Sequence, residues 1–129
     1  MVIVDTSAWI EYFRAGASHV MQSIDECLEG DLVGIGDLVY CEVIQGLSVK
    51  RERELVATLF QSLPHFNMVG FAIAEKAAEN YRYLRSRGIT ARKTIDVLIG
   101  TFCAENGFRL LHNDHDFTLM AKHIGLQIY

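Results

Sequence analysis

The chain has 129 residues, of which half are hydrophobic, 22% are charged and one is proline. This length suits one ordinary domain, and this composition excludes a disordered chain, a collagen-like repeat and a low-complexity linker. Sixteen acidic residues against twelve basic ones give a net charge of −4. That charge excludes nucleic-acid binding by bulk attraction alone, although a local basic patch is compatible with it.

The sequence also bears on the compartment. It contains neither the pattern of a signal peptide nor an apolar run of 18 residues, so we expect no secretion signal and no membrane span. The three cysteines, Cys27, Cys41 and Cys103, are widely spaced and include no C-x-x-C pair. An odd number of scattered cysteines is typical of a reducing cytoplasm, and we therefore expect a cytoplasmic protein.

Short apolar runs alternate with longer segments of helical periodicity along the chain. The predicted elements, in chain order, are a strand at 1–4, helices at 6–14 and 18–29, a strand at 32–35, helices at 37–47 and 50–63, a brief strand at 67–69, helices at 71–87 and 94–106, a strand at 110–111, a short helix at 117–123 and a strand at 126–128. This alternation predicts a single α/β domain over residues 1–129, with a central, mainly parallel sheet between two helical layers.

Two predicted strands are followed closely by acidic residues. Asp5 comes directly after the strand at 1–4, and Asp114 follows the strand at 110–111 after two intervening residues. Ligands bind at the carboxyl ends of the strands in such sheets, so both acids are candidate functional residues. The alternative for Asp5 is a structural role as the cap of the following helix.

Two further acids stand among apolar residues on predicted helices. Asp96 is the only charge in the segment 94–104, and a helix that is apolar all round is buried. A lone buried carboxylate is unfavourable by several kcal/mol unless another group compensates for it, and Gly100 is expected to open space beside this one. Glu42 likewise has apolar or small neighbours one turn away. The alternatives are an interaction of Asp96 with the helix dipole and simple exposure of Glu42.

Together these acids predict a metal site. Carboxylates that lie close together repel each other, and a hard divalent cation such as Mg²⁺ or Mn²⁺ is the usual compensation. Such a cation supports the hydrolysis of phosphodiesters. The candidate catalytic residues are therefore Asp5, Glu42, Asp96 and Asp114, of which Asp5, Asp96 and Asp114 are the candidate metal ligands.

The ordered set of motifs resembles the PIN domain, and specifically the VapC-type ribonuclease toxins of prokaryotic toxin–antitoxin modules. The resemblance runs from Val2 to Tyr129, and it rests on the opening strand with Asp5, on the segment 94–100 and on the segment 110–117. It implies an α/β/α fold, cleavage of RNA with Mg²⁺ or Mn²⁺, a homodimer, and inhibition by a cognate VapB-like antitoxin.

The resemblance also bears on individual residues. Glu42 corresponds to the second acid of the family, and Asp114 corresponds best to the ligand of its fourth acidic motif. Asp116 is then a supporting residue or a helix cap. The hydroxyls of Thr6 and Ser7 either cap the first helix or, as the similar positions of the family do, orient Asp5 or a metal-bound water.

Basic residues are concentrated just before Asp96. Five of the twelve lie between positions 82 and 93, and no acid interrupts them. We call four of them the basic strip: Arg85, Arg87, Arg92 and Lys93. The strip either is a solvated helix end or binds RNA phosphates on the way to Asp96.

Other functions of α/β domains of this size fit less well. A phosphoacceptor receiver domain would need an aspartate after the middle strand, where Gly70 stands, and an aspartate-dependent phosphatase would need one where Ser7 stands. No dinucleotide-binding glycine motif follows the first strand, and no histidine pair has the spacing of zinc ligands. A non-catalytic PIN-like module that binds RNA or metal is the remaining alternative.

Overall fold

A five-stranded sheet forms the centre of the computed structural model, which describes residues 1–14 and 18–129. The strands are β1 (Val2–Val4), β2 (Val33–Gly36), β3 (His65–Phe66), β4 (Arg109–Leu111) and β5 (Gln127–Ile128). Their order is β3-β2-β1-β4-β5, and all neighbouring pairs are parallel. The carboxyl ends of all these strands therefore meet at one edge of the sheet.

Helices connect the strands. Within the described residues they are α1 (Thr6–Phe13), α2 (His19–Glu29), α3 (Asp37–Gly46), α4 (Lys50–Gln61), α5 (Phe71–Ser86), α6 (Thr94–Asn106) and α7 (His115–Ile124). The predicted bounds of α6 are confirmed, and the helix ends at Gly107, whose φ of 66° lies in the left-handed region that glycine adopts readily. No helix in the described ranges is long and apolar enough to cross a membrane.

The chain order of the strands explains the layers. From β1 the chain moves through α1 to α4 towards β3, and then it reverses direction and moves through α5 to α7 towards β5. Parallel crossovers are right-handed, so connections that run in opposite directions cover opposite faces of the sheet. The helices α5, α6 and α7 also pack on one another. The predicted α/β/α sandwich with a parallel sheet is confirmed.

The predicted strand at 67–69 is wrong in position. The third strand is His65–Phe66, and it pairs with β2 directly after Pro64. Met68 is buried outside the ladder, where its backbone N–H donates to Oδ1 of Asp37 over 3.0 Å. The prediction followed hydrophobicity, but the strand contains the exposed His65 and the buried Met68 lies after it.

Two other expectations also need correction. The last helix begins at His115 rather than at 117, because the side chain of Asp114 caps it. Gly100 does not open space beside Asp96: a Cβ at that position would lie 3.3 Å from Ile124 and 3.4 Å from Met120 on α7. The glycine instead lets α6 and α7 approach each other closely.

Candidate active site

The site lies where the order of the strands reverses. The chain leaves β1 towards β2 and later returns to the other side of β1 as β4. The two strands pair in register at Val4 and Leu111, and the N–H of Asp5 donates to the carbonyl of Leu111 over 2.8 Å. A crevice at such a reversal, outside the carboxyl ends of the strands, is where open α/β sheets bind ligands.

Asp5 is held firmly at this point. The residue is 4% exposed, and its Oδ2 accepts hydrogen bonds from the backbone N–H of Ser7 over 2.9 Å and from the Ser7 hydroxyl over 2.6 Å. Burial raises the pKa of Asp5, while the bonds from Ser7 act in the opposite direction. Asp5 is therefore a helix cap, as the structural alternative predicted, and it is also a buried acid at the crevice.

Ser7 joins the two central strands at their ends. Besides donating to Asp5, its hydroxyl oxygen accepts the backbone N–H of Asn113 over 3.0 Å. Asn113 lies in the short connection after β4. The hydroxyl thus fixes the loop that carries Asp114 relative to Asp5.

Thr6 orients a different acid from the one expected. Its hydroxyl donates to Oε1 of Glu42 over 2.9 Å, so that the start of α1 is tied to the middle of α3. Glu42 is half-buried. Of the two candidate hydroxyls, Ser7 therefore orients Asp5 and Thr6 orients Glu42.

Asp96, Asp114 and Asp116 form the acid cluster. One carboxylate oxygen from each lies within 4.8 Å of the others. Asp114 caps α7, because its Oδ1 accepts the N–H of Asp116 over 2.9 Å, and its own N–H donates to Nδ1 of His112 over 3.1 Å. Asp96, in the first turn of α6, is 7% exposed.

The pKa of Asp96 shows how crowded the site is. Burial is the largest cause that raises this pKa, to about 6, and the negative charge of Asp5 raises it further. Lys93 acts in the opposite direction, while Asp114 and Glu42 add to the rise. The other three predicted acids thus all act on Asp96, although Asp5 and Glu42 lie outside the acid cluster.

These groups fit a hard divalent cation. The acid cluster supplies oxygen donors alone, from three carboxylates, and two of the acids at this edge are buried with a raised pKa. Such carboxylates are stabilised by a Mg²⁺ or Mn²⁺ ion. Asp96 and Asp114 would hold it, with Asp5 or Asp116 as a third ligand.

The basic strip is divided by the fold. Arg92 and Lys93 lie at the acids, because Arg92 pairs with Asp116 and the charge of Lys93 lowers the pKa of Asp96. Arg85 contacts the hydroxyl of Tyr81, and Arg87 lies over the ring of Tyr83, 5.1 Å from its centre. The pairing of Arg92 joins residues 24 positions apart, and the sequence pattern did not reveal it.

The raised pKa of Asp96 predicts how stability depends on pH without metal. The folded state holds the Asp96 proton up to about pH 6, whereas the unfolded chain releases it near the ordinary value of 3.8. The acid therefore leaves stability unaffected below about pH 4 and lowers it as the pH rises to about 6, by up to about 3 kcal/mol. In chelator, Asp96→Asn should increase the free energy of unfolding little at pH 4 and most above pH 7. Urea unfolding measures this, with the exposed Glu29→Gln as control, and a gain that is the same at every pH would contradict it.

Comparison with known proteins agrees with this geometry. The family model of the PIN domain matches residues 2–123. A VapC ribonuclease of Mycobacterium bovis and ribonuclease VapC11 of Mycobacterium tuberculosis are each 31% identical over 129 residues, which covers 98% of this chain and 96% of the relative.

Solved structures share the fold at lower identity. VapBC2 from Rickettsia felis, bound to a DNA fragment from its promoter, matches with a TM-score of 0.76 and 15% identity over 100% of this chain and 98% of that chain. FitAcB from Neisseria gonorrhoeae matches with a TM-score of 0.74 and 16% identity over 100% and 96%. The chain therefore belongs to the PIN domain family, as a relative of its VapC members.

Proposed function

We propose that the protein is a metal-dependent endoribonuclease and the toxin of a toxin–antitoxin module. The observation that carries this proposal is the group of acids at the strand reversal, where Asp96, Asp114 and Asp116 lie within 4.8 Å of one another beside the buried Asp5. The relatives also support it, since those that align over nearly the whole chain are ribonucleases by name.

The residues of the site have separate tasks in this proposal. Asp5, Asp96 and Asp114 would hold Mg²⁺ or Mn²⁺, and Ser7 keeps Asp5 and the loop of Asp114 in place. When bound, the cation would lower the pKa of a water molecule and stabilise negative charge on the phosphate.

Glu42 and Lys93 complete the site. Glu42, oriented by Thr6, is our candidate to accept a proton from the attacking water. Lys93 supplies positive charge on the side where RNA approaches.

The chemistry of the product ends tests the reaction. Nδ1 of His112 already accepts the N–H of Asp114, and no other histidine of the described residues forms a hydrogen bond at the site to complete a base and acid pair, so attack by the RNA 2′-hydroxyl is the less suitable route. We therefore expect products with 5′-phosphate and 3′-hydroxyl ends. A substrate with 2′-deoxyribose at the mapped cleavage position should still be cut. Ends with a 2′,3′-cyclic phosphate that form in the presence of chelator would contradict the mechanism, and binding without cleavage would favour the non-catalytic module.

The antitoxin is the second part of the proposal. A mainly apolar groove of about 660 Å³ lies between α1, α3 and α4, and Glu42 is part of its wall. Leu55 in this groove is 64% exposed and Ile10 is 43% exposed. Similar folds occur in structures of toxin–antitoxin complexes, among them one from Klebsiella pneumoniae with a TM-score of 0.71. An apolar segment of the antitoxin in this groove would reach the acids at Glu42 and block them.

A charge in the groove should separate inhibition from catalysis. Leu55→Glu places a carboxylate where the antitoxin would pack, and it leaves the acids untouched. We expect the variant to cleave RNA at the rate of the unmodified protein and to bind the co-expressed antitoxin at least tenfold more weakly, as calorimetry would measure. An unchanged affinity for the antitoxin would show that it binds outside this groove.

We also propose that the protein is a homodimer, and measuring its molar mass in solution by light scattering would test this.

A further inference from the structure

Arg92 and Asp116 form an ion pair at the edge of the acid cluster. Nε of Arg92 lies 3.2 Å from Oδ2 of Asp116, and Nη2 lies 3.4 Å from Oδ1, so the guanidinium faces both oxygens of the carboxylate. The side chain of Arg92 is 76% exposed, whereas that of Asp116 is 17% exposed. The carboxylate is thus part of the wall of the site, and the guanidinium stands in solvent in front of it.

This ion pair is expected to contribute little to the stability of the fold. Exposed ion pairs contribute little to stability, because water and salt screen them. Arg92 lies in the connection between α5 and α6, outside both helices, and its hydrogen bonds to Asp116 are the side-chain contacts that the structure shows for it. A role of the pair in ligand binding explains its position better than a role in folding.

Asp116 differs from the other two acids of the cluster in its charge balance. Both of its oxygens already accept hydrogen bonds from a guanidinium, whereas Oδ1 of Asp114 accepts a backbone N–H and Asp96 is buried among other acids. A cation binds best where negative charge is uncompensated. Within the described residues neither Asp96 nor Asp114 forms an ion pair, whereas Asp116 does.

Arg92 is suited to hold a phosphate at this place. A guanidinium has five N–H donors, and the two bonds to Asp116 leave three for another ligand. Arginine binds phosphate oxygens in paired hydrogen bonds, for which lysine has no equivalent. An RNA phosphate that approaches Asp96 and Asp114 meets strong negative charge, and Arg92 is a cation that Asp116 holds beside these acids.

We propose that Arg92 binds an RNA phosphate beside the acids, and that Asp116 is its positioning residue and not a ligand of the metal. This inference rests on the proposed ribonuclease function. It also specifies which of the two acids after β4, Asp114 or Asp116, would hold the cation. Asp114 binds the metal, and Asp116 acts through Arg92.

Two measurements test the assignment. In the first, Mn²⁺ alone is titrated and the melting temperature is recorded without RNA. We expect Arg92→Gln and Asp116→Asn to keep the Mn²⁺ response of the unmodified protein, and Asp114→Asn to lose it. A tenfold or greater loss of Mn²⁺ affinity in Asp116→Asn would overturn the positioning role, because it would make Asp116 a ligand.

The second measurement is the kinetics of RNA cleavage at saturating Mn²⁺. Arg92→Gln and Asp116→Asn should each raise KM roughly tenfold and change kcat by less than about threefold, and Arg92→Gln should also lower the salt dependence of kcat/KM by about one charge. The double variant should be no worse than Arg92→Gln, since Asp116 acts through that residue. Arg92→Lys should recover part of the loss. Arg109→Gln, at the opposite end of β4, is the charge-matched control.

The outcomes separate this proposal from the function on which it rests. Additive losses in the double variant, or an unchanged KM in Arg92→Gln, would overturn the role of Arg92 while the ribonuclease function stands. An unmodified protein that cleaves no RNA would overturn the proposed function, and the Mn²⁺ titration would still decide whether Asp116 is a ligand.

Discussion

Asp96→Asn should lower the rate of RNA cleavage by roughly two to three orders of magnitude while the fold is kept. Asparagine has the shape of aspartate, but it lacks the charge that would hold a cation together with Asp114 and the buried Asp5 in the proposed site. Asp5→Asn should have an effect of the same size. Initial rates in Mn²⁺ measure both.

The control for these variants is Glu29→Gln, which removes an exposed carboxylate from α2. Melting curves in chelator show whether each variant is folded, and by the pKa argument Asp96→Asn should be at least as stable as the unmodified protein at pH 7.5. An Asp96→Asn variant with more than a tenth of the original rate would exclude this acid from the reaction.

Removing divalent cations should abolish cleavage and lower the melting temperature at pH 7.5. The acids at the strand reversal repel one another without a cation, and a ligand at a hundred times its Kd stabilises the folded state by about 2.7 kcal/mol. For a chain of this length we therefore expect the melting temperature to rise by roughly ten degrees when Mn²⁺ reaches that concentration. Differential scanning calorimetry measures the shift.

Asp96→Asn serves as the matched control for this second prediction, because it should show no more than a small part of the Mn²⁺ shift. A cleavage rate that is the same in chelator and in Mn²⁺ would contradict a metal-dependent reaction. A melting temperature unaffected by millimolar Mn²⁺ would contradict the metal site itself.

The sequence predicted what depends on local pattern. The apolar segment around Asp96, closed by Gly107, predicted the bounds of α6, and the short strand before Asp5 predicted an acid at the edge of the sheet. Both predictions use hydrophobic periodicity, which residues close together in the sequence determine, and the rule that ligands bind at the carboxyl ends of parallel strands.

Contacts between distant residues could not be predicted in this way. Thr6 binds Glu42 across 36 positions, and Arg92 binds Asp116 across 24. Each depends on how two helices or loops are placed by the packed core, and a hydroxyl or a guanidinium has the same local pattern whether or not it finds such a partner. The misplaced third strand has a similar cause, because Met68 is buried by tertiary packing and not by the ladder.

The burial of Asp96 also affects which inactivating substitutions are selected in cells that the active protein would harm. Where the active chain harms its host, variants that lose activity are selected, and most losses of activity also weaken a fold. Replacing this acid by asparagine instead removes a repelled, buried charge, so we expect the inactive variant to be at least as well folded. Selection for this substitution should therefore yield an abundant, folded protein that still binds the proposed antitoxin. By binding the antitoxin, the inactive variant would leave a larger fraction of any active copies uninhibited.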